Sequence, residues 1–436
     1  MEWMNAFLEK YIMPIAGKIA GQRHLQAVRD GIILAMPLLI IGSLFLIIGN
    51  IPIDGYPDWM AKHFGAAWHD KLSYPVNATF DIMSLIVTFG IAYRLAEKYK
   101  VDPVSSGAVA VSAFLLVTPF QVSFLAEGAK QAVMVGGGIP LDLMGSKGLF
   151  VAIIISLLST EIFRWIIQRK IVIKLPDGVP PAVSKSFVAL IPGAVVVLVM
   201  WIIRLIFENT DYGSVHNIIS KLLYTPLTHV GASLAGAIVA VILIQLLWSC
   251  GIHGAAIVGG VMGPIWLSLM DQNRVAYEAH HALPNVVTQQ FFDLWIYAGG
   301  SGATLALVVA MIFRAKSKQL KSLGKLALGP GIFNINEPVT FGMPIVLNPL
   351  LIIPFIITPV VLVITSYLAM DWNWVARPSG VAVPWTTPLL FSGYLATGGK
   401  ISAVILQLVN FVISFIIYYP FMKAWDKQKL AEENAG

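Results

Sequence analysis

Glu337 is the carboxylate that this sequence makes hardest to ignore. It lies in Asn334-Ile335-Asn336-Glu337-Pro338, just before 33 residues without Asp, Glu, Lys or Arg, Pro338 to Met370. A carboxylate at membrane depth is costly to keep and marks a functional site by default. Pro338 blocks a smooth helix through the segment. Polar side chains on interrupted backbone suit a polar solute. The chemistry expected of Glu337 is to accept a hydrogen bond from a hydroxyl or to take its proton. The plainer alternative is a carboxylate paired with a fixed Arg or Lys, or one at the membrane edge. Asn334 and Asn336 lie two apart, on one side of an extended segment. Their amides can donate to and accept from a hydroxyl-rich ligand, or can cap the broken backbone.

His253 is the second candidate. It stands between Gly251 and Gly254, deep in the 49-residue uncharged run Leu222–Met270. Flanking glycines let another group come close. A buried histidine satisfied by its own core is the usual finding, but an apolar, glycine-broken setting favours function. Together, His253 and Glu337 on two facing hairpins could hold one hydroxyl and share its proton. Trp248, five residues before His253, and Trp385, near the start of a late span, could stack on a sugar ring and donate from the indole N–H. Anchoring at the membrane interface is the ordinary role of such tryptophans. Other signals are weak. Glu278-Ala279-His280-His281 lacks a HExxH order and reads as a hydrated loop, so no metal and no cofactor is expected. Gly145-Ser146-Lys147 has the wrong order for a phosphate loop. Asp81 and Arg94 read as structural.

These residues must be positioned by membrane helices. Charged residues are 12% of the 436, against about 25% in soluble proteins. Uncharged runs such as Gly31–Ile53, Pro103–Ala126, Ser186–Ile203, Leu294–Phe313, Pro378–Gly399 and Ile401–Met422 match the length of about 20 residues a spanning helix needs. The net charge of +6 follows from basic loops on the inner side and is no nucleic-acid footprint. No cleavable signal peptide is visible, and the lone Cys250 excludes a disulfide within the chain.

Basic clusters divide the spans. They are the N-terminus, Arg94-Lys98-Lys100, Arg164 to Lys185 (with Arg169, Lys170 and Lys174), Arg314 to Lys325, and Lys423 to Lys429. Placing all of them inside predicts an all-α polytopic membrane protein with both termini cytoplasmic. About ten transmembrane helices are expected, with two re-entrant hairpins and amphipathic linker helices. Residues 1–210 form a scaffold of about five simple helices. Residues 211–436 carry interrupted helices and the polar site. Single crossings are expected at about 290–313 and 382–397, and a re-entrant break at Gly251–Pro264.

Three stretches resemble a known family. Gly331-Ile-Phe-Asn-Ile-Asn-Glu-Pro-Val-Thr-Phe-Gly-Met-Pro-Ile-Val-Leu-Asn-Pro349 resembles the signature of enzyme IIC, the membrane subunit of lactose/cellobiose-type (diacetylchitobiose) sugar phosphotransferase systems. Trp248-Ser-Cys-Gly-Ile-His253-Gly and Ala20-Gly-Gln-Arg-His-Leu25 add support. The resemblance implies an N-terminal dimerisation domain, hence a homodimer in the lipid of a bacterial cytoplasmic membrane. It also implies a C-terminal transport domain. Glu337 would contact the 6-hydroxyl of a β-linked disaccharide, with His253 beside it. Asn336, Asn334, Trp248 and Trp385 would complete the site. Phosphorylated EIIB would donate its phosphoryl group to that hydroxyl. The absence of a IIB domain leans towards cellobiose or chitobiose rather than lactose. A proton-coupled secondary sugar transporter with Glu337 as the proton site is the competing expectation. A membrane-embedded hydrolase lacks a visible nucleophile–base pair.

Overall fold

Hydrocarbon offers no partner to a free N–H or C=O, so long uncharged runs close their hydrogen bonds as helices. The computed structural model describes Lys10 and residues 13–51, 53–124, 131–173, 175–176, 179–346 and 348–435. Lys174 of the third basic cluster and Leu347 of the signature lie outside the described residues. Among the described residues the chain is all-α but for one antiparallel ribbon, Gln121–Phe124 with Val133–Gly136. Among the described residues, seven helices are long and apolar enough to cross a membrane. They are Arg23–Gly49, Trp68–Tyr99, Ser146–Gln168, Val183–Glu208, Gly254–Glu278, Pro349–Asp371 and Ile401–Asn434. Val215–Ala232 and Leu234–Ser249, bent by 82°, make an eighth if the pair is one broken span, and Pro103–Val117 and Leu305–Arg314 are shorter apolar helices.

The helices gather into two compact units. One holds residues 22–42 and 73–227. The other holds the described residues of 1–21, 43–72 and 228–436. The expected boundary at 210/211 treats each half as contiguous, whereas both units here are built from separated stretches.

In the first unit, packing must hold helices together, because lipid tails are as apolar as the side chains. Small residues allow it. A Cβ on Gly90 would lie 2.8 Å from the Gly31 carbonyl oxygen, and one on Gly107 would lie 2.6 Å from the Phe89 ring. Phe114, Phe163 and Met200 fill the core between Pro103–Val117, Leu149–Gln168 and Pro181–Glu208. The Gln22-Arg23-His24 lead-in is a latch. Gln22 caps its helix by accepting from the Leu25 N–H at 2.7 Å. His24 Nε2 lies 2.9 Å from Glu161, which also accepts from the Tyr99 hydroxyl at 2.5 Å and from Arg164. Arg23 and Arg164 lie over the Tyr99 ring.

The second unit corrects three expectations. Gly254–Glu278 is one continuous helix of 25 residues with Pro264 inside it, not a re-entrant break. Its glycines each cost about 1 kcal/mol in helix propensity, less than leaving backbone unpaired in hydrocarbon. The break falls earlier, at Cys250–His253, where Gly251 takes φ +75°. Next, the supposed crossing 290–313 is interrupted. Gln289–Phe291 passes through a π turn, Phe292–Ile296, into a loop, and a helix resumes only at Leu305. Last, 382–397 is largely irregular, with a short helix at Phe391–Ala396.

Irregular backbone at that depth needs partners, and the helix Ile401–Ala435 supplies them. Gln407, fully buried, accepts from the Leu390 and Gly393 N–H groups and donates to the Leu294 carbonyl at 2.8 Å. Asn410 donates to the Trp295 carbonyl at 3.0 Å and to Ser366 at 2.8 Å.

Candidate functional site

The helix Lys318–Ile332 leads into the Asn-Ile-Asn-Glu-Pro segment. Its buried face, Leu320, Gly324, Ala327 and Gly331, recurs at helical spacing and holds it against the unit. Phe333 and Asn334 then turn the chain. Asn334 takes φ +63°, a left-handed conformation that Asn tolerates better than most residues. A second helix starts at Glu337 and runs only to Gly342. Pro338 sits in its first turn, where an N–H would have no intrahelical partner anyway.

The two asparagines pin this turn to neighbouring backbone. Asn334 Oδ1 accepts from the Gly299 N–H at 2.7 Å. Its Nδ2 donates to the Trp385 carbonyl at 2.6 Å and to the Thr387 carbonyl at 3.3 Å. Asn336 Nδ2 donates to the Ser301 carbonyl at 2.8 Å. Both asparagines are buried, at 8% and 3% exposure.

What receives them is the loop Tyr297–Thr304. Gly299, Gly300 and Gly302 all have φ near +90°, and Ala303 is left-handed too. No ordinary helix tolerates that series. A Cβ on Gly300 would lie 2.7 Å from the Asn334 carbonyl oxygen and 2.8 Å from Asn336 Cβ. The loop is braced by Thr304, which donates to the Gly299 carbonyl, and by Tyr418, which donates to the Gly302 carbonyl, both at 2.6 Å. These residues are not among the sequence candidates. Their signal is present in the chain: three glycines in four positions, inside an uncharged run long enough for one helix. Asp293, in the π turn just before the loop, is also absent from the candidates, because it bounds that run rather than interrupting it. Gln289 donates to both its carboxylate oxygens, at 3.0 and 3.1 Å.

Glu337 itself is exposed and makes no hydrogen bond or ion pair among the described residues. It stands at the first position of its helix, where a negative charge is favoured. The paired-carboxylate alternative therefore finds no support here.

His253 is exposed and caps the helix Gly254–Glu278, its Nδ1 accepting from the Ala256 N–H at 3.1 Å. Its ring lies 4.6 Å from the Trp248 ring. Trp248 is 3% exposed, and its indole N–H is buried without a partner among the described residues. Trp385 is 49% exposed. Cys250 is buried against Ile352.

Three groupings result. Asn334 meets the Trp385 backbone through a hydrogen bond, and Asn334 and Asn336 both bond the glycine loop, at Gly299 and Ser301. Trp248 meets His253 ring to ring. The two broken segments approach where a Cβ on Gly251 would lie 3.5 Å from Val346. No hydrogen bond joins His253 to Glu337. Among the weak signals, Glu278 is paired with Arg274 at 2.9 Å and Arg94 with Glu97 at 3.0 Å, in keeping with structural roles.

Interrupted helices bearing an unpaired carboxylate, a histidine and indoles within a multi-pass helical bundle define a membrane transport protein for a polar solute. Residues 29–359 match the family model for the phosphotransferase system, EIIC, and the chain belongs to that family. It is 70% identical over 437 residues to the cellobiose-specific EIIC component of Geobacillus stearothermophilus, covering 100% of this chain and 97% of that one. It is 64% identical over 434 residues to the lichenan permease IIC component of Bacillus subtilis (strain 168), covering 100% and 96%. It superposes with a TM-score of 0.95 on the crystal structure of ChbC, the IIC component of an N,N'-diacetylchitobiose-specific system. That pair is 66% identical, with 98% and 99% of the chains covered. Members of the family act with a sugar and an EIIB partner.

Proposed function

We propose that this chain moves a β-linked disaccharide of the cellobiose or diacetylchitobiose type inward across the bacterial cytoplasmic membrane. It then presents the 6-hydroxyl to phosphorylated EIIB. The names of the relatives support the sugar class. The observation that carries the site is the state of Glu337: exposed, unpaired, and rooted in a turn pinned by two buried asparagines.

The protein's contribution to phosphoryl transfer is position and electrostatics. The sugar oxygen attacks phosphorus, the S–P bond to the EIIB cysteine breaks, and the thiolate leaves on EIIB. The hydroxyl proton passes to Glu337. His253 serves as a donor rather than a second base. Because its Nδ1 accepts from the Ala256 N–H, the neutral ring carries its proton on Nε2, which can donate to a sugar oxygen. Trp385, half exposed, offers a ring face to the sugar, while Trp248, buried against the His253 ring, backs that histidine. Asn336 Oδ1 makes no hydrogen bond among the described residues and is a ligand contact, whereas all the bonds of Asn334 go to backbone, which supports a shaping role for it.

The chain works as a homodimer in lipid with both termini cytoplasmic. In support, Leu198, Trp201, Ile202 and Ile206 on the helix Pro181–Glu208 are all more than 40% exposed and offer the first unit an apolar outer face.

Transport by vesicles carrying the purified chain tests this reading. Labelled cellobiose should be retained as its phosphate only when phosphorylated EIIB is inside. Accumulation driven by a pH gradient without EIIB would instead establish the proton-coupled alternative.

A further inference from the structure

We propose that the exposed lysine stripe of the helix Lys318–Ile332 is the surface on which the phosphoryl-donor protein docks. This rests on phosphorylated EIIB being the partner. The buried face of the helix is spoken for by Leu320, Gly324, Ala327 and Gly331. Lys318, Lys321 and Lys325 are spaced three and four apart, so they form one row on the outer surface, and all three are exposed.

The nearby carboxylates leave these lysines alone. Asp426 accepts from the Lys316 N–H at 2.7 Å, and from the Ser317 N–H and hydroxyl at 2.9 and 2.7 Å. Glu433 accepts from the Lys318 and Gln319 N–H groups at 3.1 and 2.9 Å. Two acids of the C-terminal helix thus take four consecutive backbone donors, three of which, from the Ser317 cap to Gln319, the first turn of a helix leaves unpaired. They fix the helix without neutralising its side chains. Lys318, Lys321 and Lys325 have no ion pair among the described residues.

The row points along the path to Glu337. From Lys325 to Ile332 the helix advances about 10 Å at 1.5 Å per residue, and the pinned turn then delivers Glu337. A phosphoryl group brings roughly −1.5 to −2 charges, which a positive row beside its target attracts and orients. Positive-inside topology alone needs basic residues in a loop, but not a capped helix with one charged row. An anionic lipid surface is the less suited occupant. Leu326, 74% exposed, is the most exposed apolar side chain of this helix, and it lies roughly 100° around the helix from Lys325. Its flank can face the bilayer while the lysines face water.

The test is the triple charge reversal Lys318→Glu, Lys321→Glu and Lys325→Glu in the full chain, in neutral-lipid vesicles. Disaccharide affinity should stay within about twofold of the unaltered chain. The KM for phosphorylated EIIB should rise about tenfold or more at low salt, with kcat at saturation little changed, as expected for loss of steering. The unaltered chain should lose this advantage as salt is raised, and the variant should not. If the reversal disturbs sugar binding, Lys→Gln at the three positions should give an intermediate KM with sugar affinity intact. An unchanged KM for EIIB with either variant overturns the docking surface alone. A KM change confined to vesicles containing anionic lipid would reassign the row to lipid. Failure of the unaltered chain to support phosphorylation at all would overturn both the surface and the function it rests on.

Discussion

Glu337→Gln should abolish sugar phosphorylation while leaving the protein folded. The substitution preserves size and one acceptor oxygen but removes the charge and the ability to take a proton. A positioned base contributes about 10²- to 10⁴-fold to rate, so EIIB-dependent phosphorylation should fall by at least about a hundredfold. A hydrogen bond to a charged group is worth about 1.5–3 kcal/mol, so disaccharide affinity should fall by about ten- to a hundredfold. Stability should barely move. Glu337 is exposed and pairs with nothing among the described residues, so no buried partner is abandoned. Equilibrium binding, single-turnover phosphorylation and a thermal melt on one preparation separate these effects. A variant that phosphorylates at the normal rate would remove Glu337 from the chemistry.

Gly300→Val should be the most damaging single change away from the carboxylate. Its Cβ would fall 2.7 Å from the Asn334 carbonyl oxygen and 2.8 Å from Asn336 Cβ, and φ is +87°. Left-handed backbone costs a side chain about 1–2 kcal/mol, and overpacking adds about 1–3. The turn that holds Glu337 must shift or the loop must open. Sugar binding should be lost, and the melting temperature should drop measurably in detergent. Gly259→Ala is the control: nothing lies within 4 Å of its Cβ position, and it sits in a helix. There the same kind of substitution should be neutral or stabilising by up to about 1 kcal/mol. If Gly300→Val binds sugar normally, the glycine loop is not the seat of the site.

Glu337 and His253 were legible because ionisable groups in apolar runs carry a cost that is visible without coordinates. The asparagines were legible only as a choice between ligand and cap. Asn334 resolved towards the backbone because Gly299, Trp385 and Thr387, distant in sequence, all converge on its amide. Gln407 and Asn410 were invisible, since a polar residue in a long helix says nothing about which broken strand of backbone it will serve.

Glycine placement shows the limit most clearly. The chain has two glycine clusters in apolar runs, Gly251–Gly263 and Gly299–Gly302. Local propensity favours a break across the whole of Gly251–Gly263 and only a minor disturbance at Gly299–Gly302. The fold does the opposite for most of the former, which continues as the helix Gly254–Glu278, while the latter opens into a loop. A glycine only permits unusual backbone, at about 1 kcal/mol. Whether that freedom is used depends on what arrives from elsewhere in the chain. At Gly300 two asparagines arrive, one accepting from the Gly299 N–H and one donating to the Ser301 carbonyl. At Gly259 nothing arrives, and the helix persists.

By itself, then, the sequence determined the membrane class and the basic clusters, and it singled out Glu337 as the candidate carboxylate. Those follow from composition and from the cost of charge in hydrocarbon, which are properties of segments. Only tertiary structure decided where helices break, which backbone groups the asparagine amides hold, and that Glu337 stands without a partner among the described residues. Those depend on hydrogen bonds between residues far apart in the chain, which no local pattern encodes.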